Sequence, residues 1–333
     1  MVETFKKPLP NDWAWKFMKD IPDEDDKFMF IKTGIKRLDE LTGGLILGGT
    51  SIWSGTNGSS KSTIIGQIGL NIVNSKQCKV AYFSGELPDK RFKRWLYLQA
   101  SGKKHNNQKK NDKGELTNFF ETPLHLKSKI TAWFAENLYL YDNKKGFKIE
   151  QVGNQIAKLL EYDSEVKVVF IDNLFVLDIG KLSEQKWEAQ RQLILKMCEL
   201  AKSKNVHISF VAHPTKIKTL IRKEDVSGSS DLTNAVDNVF LMHRNTTDFK
   251  VRSKEYFGWS DSHEIYKFDN IIEIVKDREL GAVENLIGLY FELESKRLLN
   301  NKEEQIVYGW ETMEKQGSLI ELVPLDEDLS DIF

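Results

Sequence analysis

An octapeptide near residue 60 constrains the fold of this 333-residue chain more than any other feature. It reads Gly-Thr-Asn-Gly-Ser-Ser-Lys-Ser over residues 55–62, and it separates a β-like run, residues 49–54, from a helical run, residues 63–74. A glycine-rich turn between a strand and a helix points consecutive backbone N–H groups and a helix N-terminus at one place, which favours phosphate binding. The octapeptide therefore predicts a phosphate-binding P-loop.

The side chains of this loop suit a nucleoside triphosphate. Lys61 would reach the β- and γ-phosphates, and the Ser62 hydroxyl would ligate Mg²⁺. The strict pattern, G-x-x-x-x-G-K-[ST], has glycine where this chain has Ser60, and a left-handed backbone there would cost a serine about 1–2 kcal/mol. The predicted nucleotide-binding residues of the loop are Gly55, Thr56, Asn57, Gly58, Ser59, Ser60, Lys61, Ser62 and Thr63.

The composition excludes several classes of protein. With 40% hydrophobic and 29% charged residues, the chain is an ordinary soluble globular sequence. Because no apolar run approaches 18 residues and no signal-peptide pattern is present, we expect neither a membrane-spanning nor a secreted protein. Two cysteines, Cys78 and Cys198, make a disulfide framework implausible and favour a reducing cytoplasm.

The net charge of −1 conceals an asymmetry along the chain. Residues 20–26 and residues 318–333 each carry five acids and no base, so the chain without them is near +9. A basic body with acidic ends is compatible with nucleic-acid binding, although many neutral enzymes share such a bias.

From Phe30 onward, strand-like and helix-like segments alternate, which predicts a parallel sheet with crossover helices. Apolar strands are expected at residues 80–84, 166–171 and 206–212, amphipathic helices at 149–160 and 189–201, and a hairpin from 271–276 and 286–293. The lysine-rich residues 103–114 are expected to form an exposed loop. Residues 1–30 form an extension with a short helix at 12–19, which would dock on its own domain or on a neighbouring subunit.

Three of the predicted strands end in polar residues that a bound triphosphate requires. Asp172 follows an apolar strand, which is the pattern of a Walker B carboxylate that holds Mg²⁺. Glu86 follows another strand and could orient and deprotonate the attacking water. His213 could sense the γ-phosphate through a hydrogen bond. Because ligands of parallel α/β sheets lie beyond the carboxyl ends of the strands, these side chains should converge on one nucleotide.

Six further segments occur in a fixed order along the chain: Thr33–Asp39, Phe83–Pro88, Phe170–Asn173, Val211–Pro214, Ser227–Ser230 and Lys276–Arg278. Together with the P-loop, this ordered set resembles the RecA-like motor domain of hexameric superfamily 4 replicative helicases, from about residue 32 to residue 299. The bacteriophage primase–helicase and Twinkle branch is the most similar, beside the bacterial DnaB type. The resemblance implies an α/β, RecA-like P-loop NTPase with a mostly parallel central sheet, helices on both faces and a C-terminal β-hairpin.

The resemblance assigns roles to matching positions. Lys61, Glu86 and His213 would be catalytic, and Ser62 and Asp172 would hold Mg²⁺. Lys276 and Arg278 match an element whose arginine reaches the ATP site of the neighbouring subunit, although Arg278 could also be a surface charge in a turn.

Further positions would bind DNA or the nucleotide base. The segment after His213 is basic and then rich in small residues, which suits the backbone of single-stranded DNA, although a loop without this role has the same composition. Arg244 and Phe291 resemble the pair that encloses the base, with a core position as the alternative for Phe291. The predicted DNA-binding residues are Lys216, Lys218, Arg222, Lys223, Ser227, Gly228, Ser229 and Ser230.

The sequence thus predicts a ring-forming helicase that uses ATP and Mg²⁺ on single-stranded DNA in the cytoplasm of a bacterial or phage-infected cell. The expected domains are an extension at 1–30, a motor at 31–312 and an acidic tail at 313–333, which would bind replication partners or only keep the chain soluble. Two alternatives remain: a RecA-like, ATP-gated DNA-binding or recombination-type protein that does not unwind, and an ATPase with a defective P-loop.

Overall fold

A computed structural model describes residues 14, 16–21, 23, 29–177, 186–214, 220–226, 230–281 and 285–312. The strands are β1 Phe30–Ile31, β2 Leu45–Ile46, β3 Thr50–Gly55, β4 Lys79–Ser84, β5 Asn107–Lys110, β6 Leu116–Glu121, β7 Leu138–Leu140, β8 Val166–Asp172, β9 His207–Ala212, β10 Asn238–Arg244, β11 Asn270–Asp277, β12 Asn285–Glu292 and β13 Arg297–Leu299. The helices are α1 Lys36–Thr42, α2 Lys61–Asn74, α3 Asp89–His105, α4 Leu124–Phe134, α5 Ile149–Tyr162, α6 Lys186–Lys204, α7 Ser230–Ala235 and α8 Thr247–Phe257.

A nine-stranded sheet organises the described chain, in the order β13-β12-β11-β10-β3-β9-β8-β4-β7. The strands from β10 to β7 are parallel, whereas β11, β12 and β13 are antiparallel. The P-loop strand, β3, lies between β9 and β10, so its carboxyl end opens among those of other parallel strands. The predicted α/β fold, with its mostly parallel sheet and C-terminal hairpin, is confirmed.

Alternating side chains of the central strands supply two separate cores. In β3, Trp53 faces one core and Ile52 the other, as the two-residue period of a strand requires. Helices α1 to α4 cover the first face, and α5 to α7 cover the second. Both faces are therefore sealed by helices, which explains why the central strands are almost continuously apolar. Within the described residues, no helix combines the length and apolarity needed to cross a bilayer.

Two sequence-based expectations differ from the structure. Residues 103–114 are not a loop, because β5 and β6 pair as an antiparallel hairpin. Its turn is built by Asn111, whose side-chain oxygen accepts from the N–H groups of Lys113 and Glu115. The helix expected at 12–19 lies mostly outside the described residues, and what is described there is an exposed 3-10 turn, Met18–Asp20.

Candidate functional site

The P-loop has the strand–turn–helix geometry that its sequence predicts. All six residues of β3 are buried, and α2 begins at Lys61. Ser60 has φ 74° and ψ 23°, the left-handed conformation that favours glycine. The Asn270 side-chain amide donates to Ser59 O and Ser60 Oγ, both at 3.3 Å. The serine at this position therefore has backbone strain, and one side chain of β11 supports the loop.

Replacing Ser60 by glycine is expected to raise the free energy of unfolding by about 1 kcal/mol, because the strain disappears and only a weak contact to Asn270 is lost. Urea denaturation of the two proteins measures this change. Ser75→Gly is the contrasting control, because Ser75 has φ −82° and its hydroxyl donates to Asn71 O at 2.7 Å, so glycine there should destabilise the protein. A Ser60→Gly protein less stable than the parent would contradict this account of the loop.

Lys61 is held over the loop in a nearly buried position. Its Nζ donates to Gly55 O at 2.7 Å and to Thr56 O at 3.0 Å. Burial lowers the pKa of Lys61 to about 8, and the nearby carboxylates of Asp172 and Glu86 oppose this shift. An anion placed against the loop would raise the pKa again, because it favours the charged ammonium. The site is therefore electrostatically prepared for a negatively charged ligand.

Glu86, just beyond β4, meets side chains from two other strand ends. His213 Nε2 lies 2.7 Å from Glu86 Oε1, and the Asn173 side-chain amide donates to the same oxygen. The hydrogen bond from His213 holds the pKa of Glu86 below its ordinary value. Glu86 is therefore ionised at neutral pH and oriented by two donors, as a general base requires. Asn173 was not among the predicted site residues, although it directly follows Asp172.

The geometry of Asp172, at the end of β8, fits a magnesium ligand. The carboxyl group is buried, and burial raises its pKa to about 6 although the Ser62 hydroxyl opposes the rise. Neither oxygen accepts a hydrogen bond of ordinary geometry from the described residues. A buried carboxylate beside a P-loop serine suits a cation that takes its remaining ligands from phosphate and water, as Mg²⁺ does.

The P-loop, Glu86 and His213 line one cavity of about 440 Å³. Phe291 lines it, in agreement with a position beside the nucleotide, whereas Arg244 is exposed at the end of β10 and is not among the lining residues. Trp95 of α3 also lines the cavity, with Lys296 Nζ 5.4 Å from its ring centroid. No sequence signal separated Trp95 from a core aromatic residue. The lining residues are Asn57, Gly58, Ser59, Ser60, Lys61, Ser62, Thr63, Glu86, Trp95, His213 and Phe291.

Lys276 and Arg278 lie at the amino ends of the parallel strands, away from the P-loop. Strand β11 runs antiparallel to β10, which is parallel to β3, so its end lies near the start of β3. Lys276 Nζ donates to three carbonyls at the end of α7, at 2.5–2.9 Å, and burial lowers its pKa to about 8. Arg278 donates to Asp237 at 2.6 Å and to the Asn234 carbonyl at 3.1 Å. The length of β3, roughly 20 Å, separates both cations from the P-loop of their own chain.

Of the predicted DNA contacts, only part lies in the described chain. Lys216, Lys218 and residues 227–229 lie outside it, as does the side chain of Ser230. Arg222 donates to the buried Glu273 at 2.7 Å, and its guanidinium lies 4.4 Å from the Tyr256 ring centroid. These contacts anchor the segment to the body, and the DNA contact of Arg222 stays a prediction. Lys223, the next residue, is half-buried.

Arg222→Ala should therefore lower the free energy of unfolding by about 3 kcal/mol, because it removes the arginine partner of a buried carboxylate. Lys223→Ala should instead leave stability nearly unchanged and lower the salt dependence of single-stranded DNA binding by about 0.7 per phosphate contact. Urea denaturation and DNA-binding anisotropy between 50 and 200 mM salt measure the two quantities. If Arg222→Ala changed only the salt dependence, the anchoring role would be wrong.

Comparisons with known proteins agree with this geometry. Residues 30–300 match the family described as DnaB-like helicase C terminal domain. A solved structure described as an ATPase domain has a similar fold, with a TM-score of 0.62 and 16% identity over 84% of this chain and 93% of that one. A DnaB-like replicative helicase, described with its interactions with primase, has a TM-score of 0.63 and 17% identity over 82% of this chain.

The chain spans only 62% of the length of that DnaB-like helicase. At these identities, the solved structures establish a shared fold alone. Curated proteins gave no significant match. The family match, however, covers most of the chain, including the P-loop, the ends of β4, β8 and β9, and the β11 cations. The chain therefore belongs to the DnaB-like helicase C-terminal domain family, a group of superfamily 4 helicase domains.

Proposed function

We propose that this chain is a ring-forming, ATP-dependent DNA helicase that couples Mg-ATP hydrolysis at subunit interfaces to movement along single-stranded DNA and duplex unwinding in replication. One observation carries the proposal. Lys61 and Glu86 line one cavity, and Asp172 lies close enough to Lys61 to oppose the fall in the pKa of its ammonium group, whereas Arg278 lies at the other end of the sheet's strands. A complete hydrolytic site then needs a second copy of the chain.

The residues of one chain supply most of the chemistry of hydrolysis. Lys61 leaves its loop carbonyls for the phosphates, and the ionised Glu86 accepts a proton from the attacking water. His213 shares Glu86 Oε1 with Asn173, so a change at the γ-phosphate would alter the position of His213. Mg²⁺ on Ser62 and Asp172 would neutralise charge developing on the phosphate oxygens.

Arg278 supplies the missing positive charge to a neighbour. It cannot reach its own cavity across the sheet, but half of its side chain is exposed beside Asp237. In a closed ring, head-to-tail contacts would place the side of each copy that carries Arg278 against the side of the next copy that carries the P-loop cavity. Hydrolysis then depends on assembly, and residues 1–30 are the segment that we propose docks on the adjacent subunit.

The proposed DNA-binding segment runs from the cavity side of the chain to the side that carries Arg278. It begins after His213, where Pro214 forms a β-bridge with Val226, and it ends in α7. The carbonyls at the end of α7 are held by Lys276 and Arg278. The segment is therefore bounded by the proposed γ-phosphate sensor on one side and by the proposed interface cations on the other, which provides a physical route from hydrolysis to DNA movement.

Strand displacement from a forked duplex tests the proposal. Single-stranded DNA should stimulate ATP hydrolysis, and the protein should release the labelled strand only with Mg-ATP. ATP-dependent DNA binding without strand release would favour the RecA-like alternative. Failure to bind ATP at millimolar Mg²⁺, measured by calorimetry, would favour the defective P-loop.

A further inference from the structure

The hairpin formed by β5 and β6 presents a basic and apolar surface to solvent. Residues 103–113 contain five lysines and one aspartate. Lys103 pairs with Glu294 and Lys109 with Glu121, whereas the exposed Lys104, Lys110 and Lys113 form no ion pair with any described residue. Leu116 and Phe119 are 62% and 67% exposed. We call residues 103–121 the basic hairpin.

Both faces of this ribbon carry an exposed apolar side chain. Leu116 and Phe119 lie three positions apart in β6, so their side chains point to opposite faces. The hairpin is connected to the body through Arg94, which donates to Phe120 O at 3.2 Å. Its outer surface therefore remains available while its base is fixed.

The described chain ends beside the base of this hairpin. Trp310 is buried, and its indole N–H donates to Ala100 O at 3.0 Å. His105, two residues before β5, has its ring centroid 5.2 Å from that of Trp310, and its Nε2 lies 3.5 Å from Glu311 Oε2. Residues 313–333 therefore start within a few ångströms of the hairpin.

The segment that starts there is chemically complementary to the hairpin. Residues 313–333 carry six acids and one lysine and end in Asp331-Ile332-Phe333. The acids match the unpaired lysines, and the terminal apolar residues match Leu116 and Phe119. The residues between Thr312 and Asp326 can span up to about 50 Å, whereas the hairpin strands are roughly 20 Å long. Distance does not prevent the contact.

We propose that the acidic segment 313–333 docks on the basic hairpin of its own chain, through ion pairs with Lys104, Lys110 and Lys113 and apolar contacts with Leu116 and Phe119. Exposed ion pairs are individually weak and are screened by salt, so the contact is reversible. The covalent link raises the local concentration of the segment to the millimolar range, which favours docking in the absence of a competitor. A partner with a stronger basic surface would displace the segment from the hairpin.

Carbodiimide cross-linking of the full-length protein tests this contact, because the reagent joins a lysine amine to a carboxylate only when the two already touch. Mass spectrometry should find Asp326, Glu327, Asp328 or Asp331 joined to Lys104, Lys110 or Lys113, and much less to the exposed control lysines Lys158 and Lys202. Lys110→Glu with Lys113→Glu should lower the links that remain possible, those to Lys104, because the acidic segment is then repelled from the hairpin. Adding Asp326→Lys and Asp328→Lys should restore links of the opposite polarity.

Isotope-labelled and unlabelled chains, mixed before cross-linking, separate the possible occupants. Links almost wholly of one label support the proposal, whereas a mixed fraction of about one half, the value for contacts between two chains in a 1:1 mixture, would assign the surface to a second copy and overturn it. Links spread equally over the control lysines would also overturn it. So would an oligonucleotide that protects the hairpin lysines equally in the parent protein and in a chain lacking residues 313–333, since the hairpin would then be a nucleic-acid surface.

Discussion

Replacing Glu86 by glutamine is expected to lower the rate of ATP hydrolysis by about 10²–10⁴-fold and to leave ATP binding almost unchanged. The amide can still accept hydrogen bonds from His213 and Asn173, but it cannot take a proton from water. Steady-state phosphate release and equilibrium nucleotide binding, both at saturating single-stranded DNA, measure the two quantities. Strand displacement should disappear with hydrolysis.

A second glutamate provides the control for this substitution. Glu165 pairs with Lys79 at 2.7 Å and its side chain is 73% exposed, at the opposite end of β4 from Glu86. Glu165→Gln should hydrolyse ATP at the parental rate. If Glu86→Gln retained more than about a tenth of the parental rate, another group would be the base and the role of Glu86 would be positional.

The site could be predicted from sequence because parallel topology converts separation along the chain into proximity. Glu86, Asp172 and His213 lie at the ends of three separate strands, β4, β8 and β9. All three strands are parallel to β3, so their carboxyl ends lie side by side. The sequence also showed the departure at Ser60, and the left-handed φ there confirms that this position needs the conformation of glycine. A strand order that joins β3 to β9 and β10 could not be read from the sequence alone.

The sequence did not reveal features whose backbone structure or long-range contacts differ from what the local residue types favour. The lysine-rich residues 103–114 lack the apolar alternation that identifies a strand, yet Asn111 and the left-handed Gly114 close a hairpin that pairs through its backbone. Arg222 has a structural role that its basic surroundings in the sequence did not indicate, because its partner Glu273 lies 51 positions away. Helix α8 had readable signals that were missed, since Thr246 caps its start and Gly258, with φ 70°, ends it.

In the proposed ring, Arg278 would link the fold to assembly, and its contacts within one chain show what would have to change. In the single chain, the guanidinium is held by Asp237 and by carbonyls at the end of α7. An approaching phosphate would compete with these acceptors. Movement of Arg278 into a neighbouring site would therefore release one of the two cations that hold α7.

Arg278→Ala is expected to reduce ATP hydrolysis by about 10³–10⁵-fold, because an arginine supplied in trans stabilises charge on the transferred phosphoryl group. ATP binding should persist, since Lys61 and the P-loop belong to the other chain of each interface. Arg252→Ala removes a more exposed arginine, of α8, and it should leave hydrolysis unchanged.

Mixing Arg278→Ala with Glu86→Gln gives the sharpest test of a shared site. Each variant alone is inactive, but an interface that combines the Glu86 of the first with the Arg278 of the second is complete. In randomly mixed rings, about one quarter of the interfaces are of this kind, so a 1:1 mixture should regain hydrolysis up to about that fraction of the parental rate. A mixture as inactive as its components, in rings shown by native mass spectrometry to contain both chains, would place Arg278 outside the neighbouring site. Full activity of Arg278→Ala alone would remove the dependence of hydrolysis on assembly.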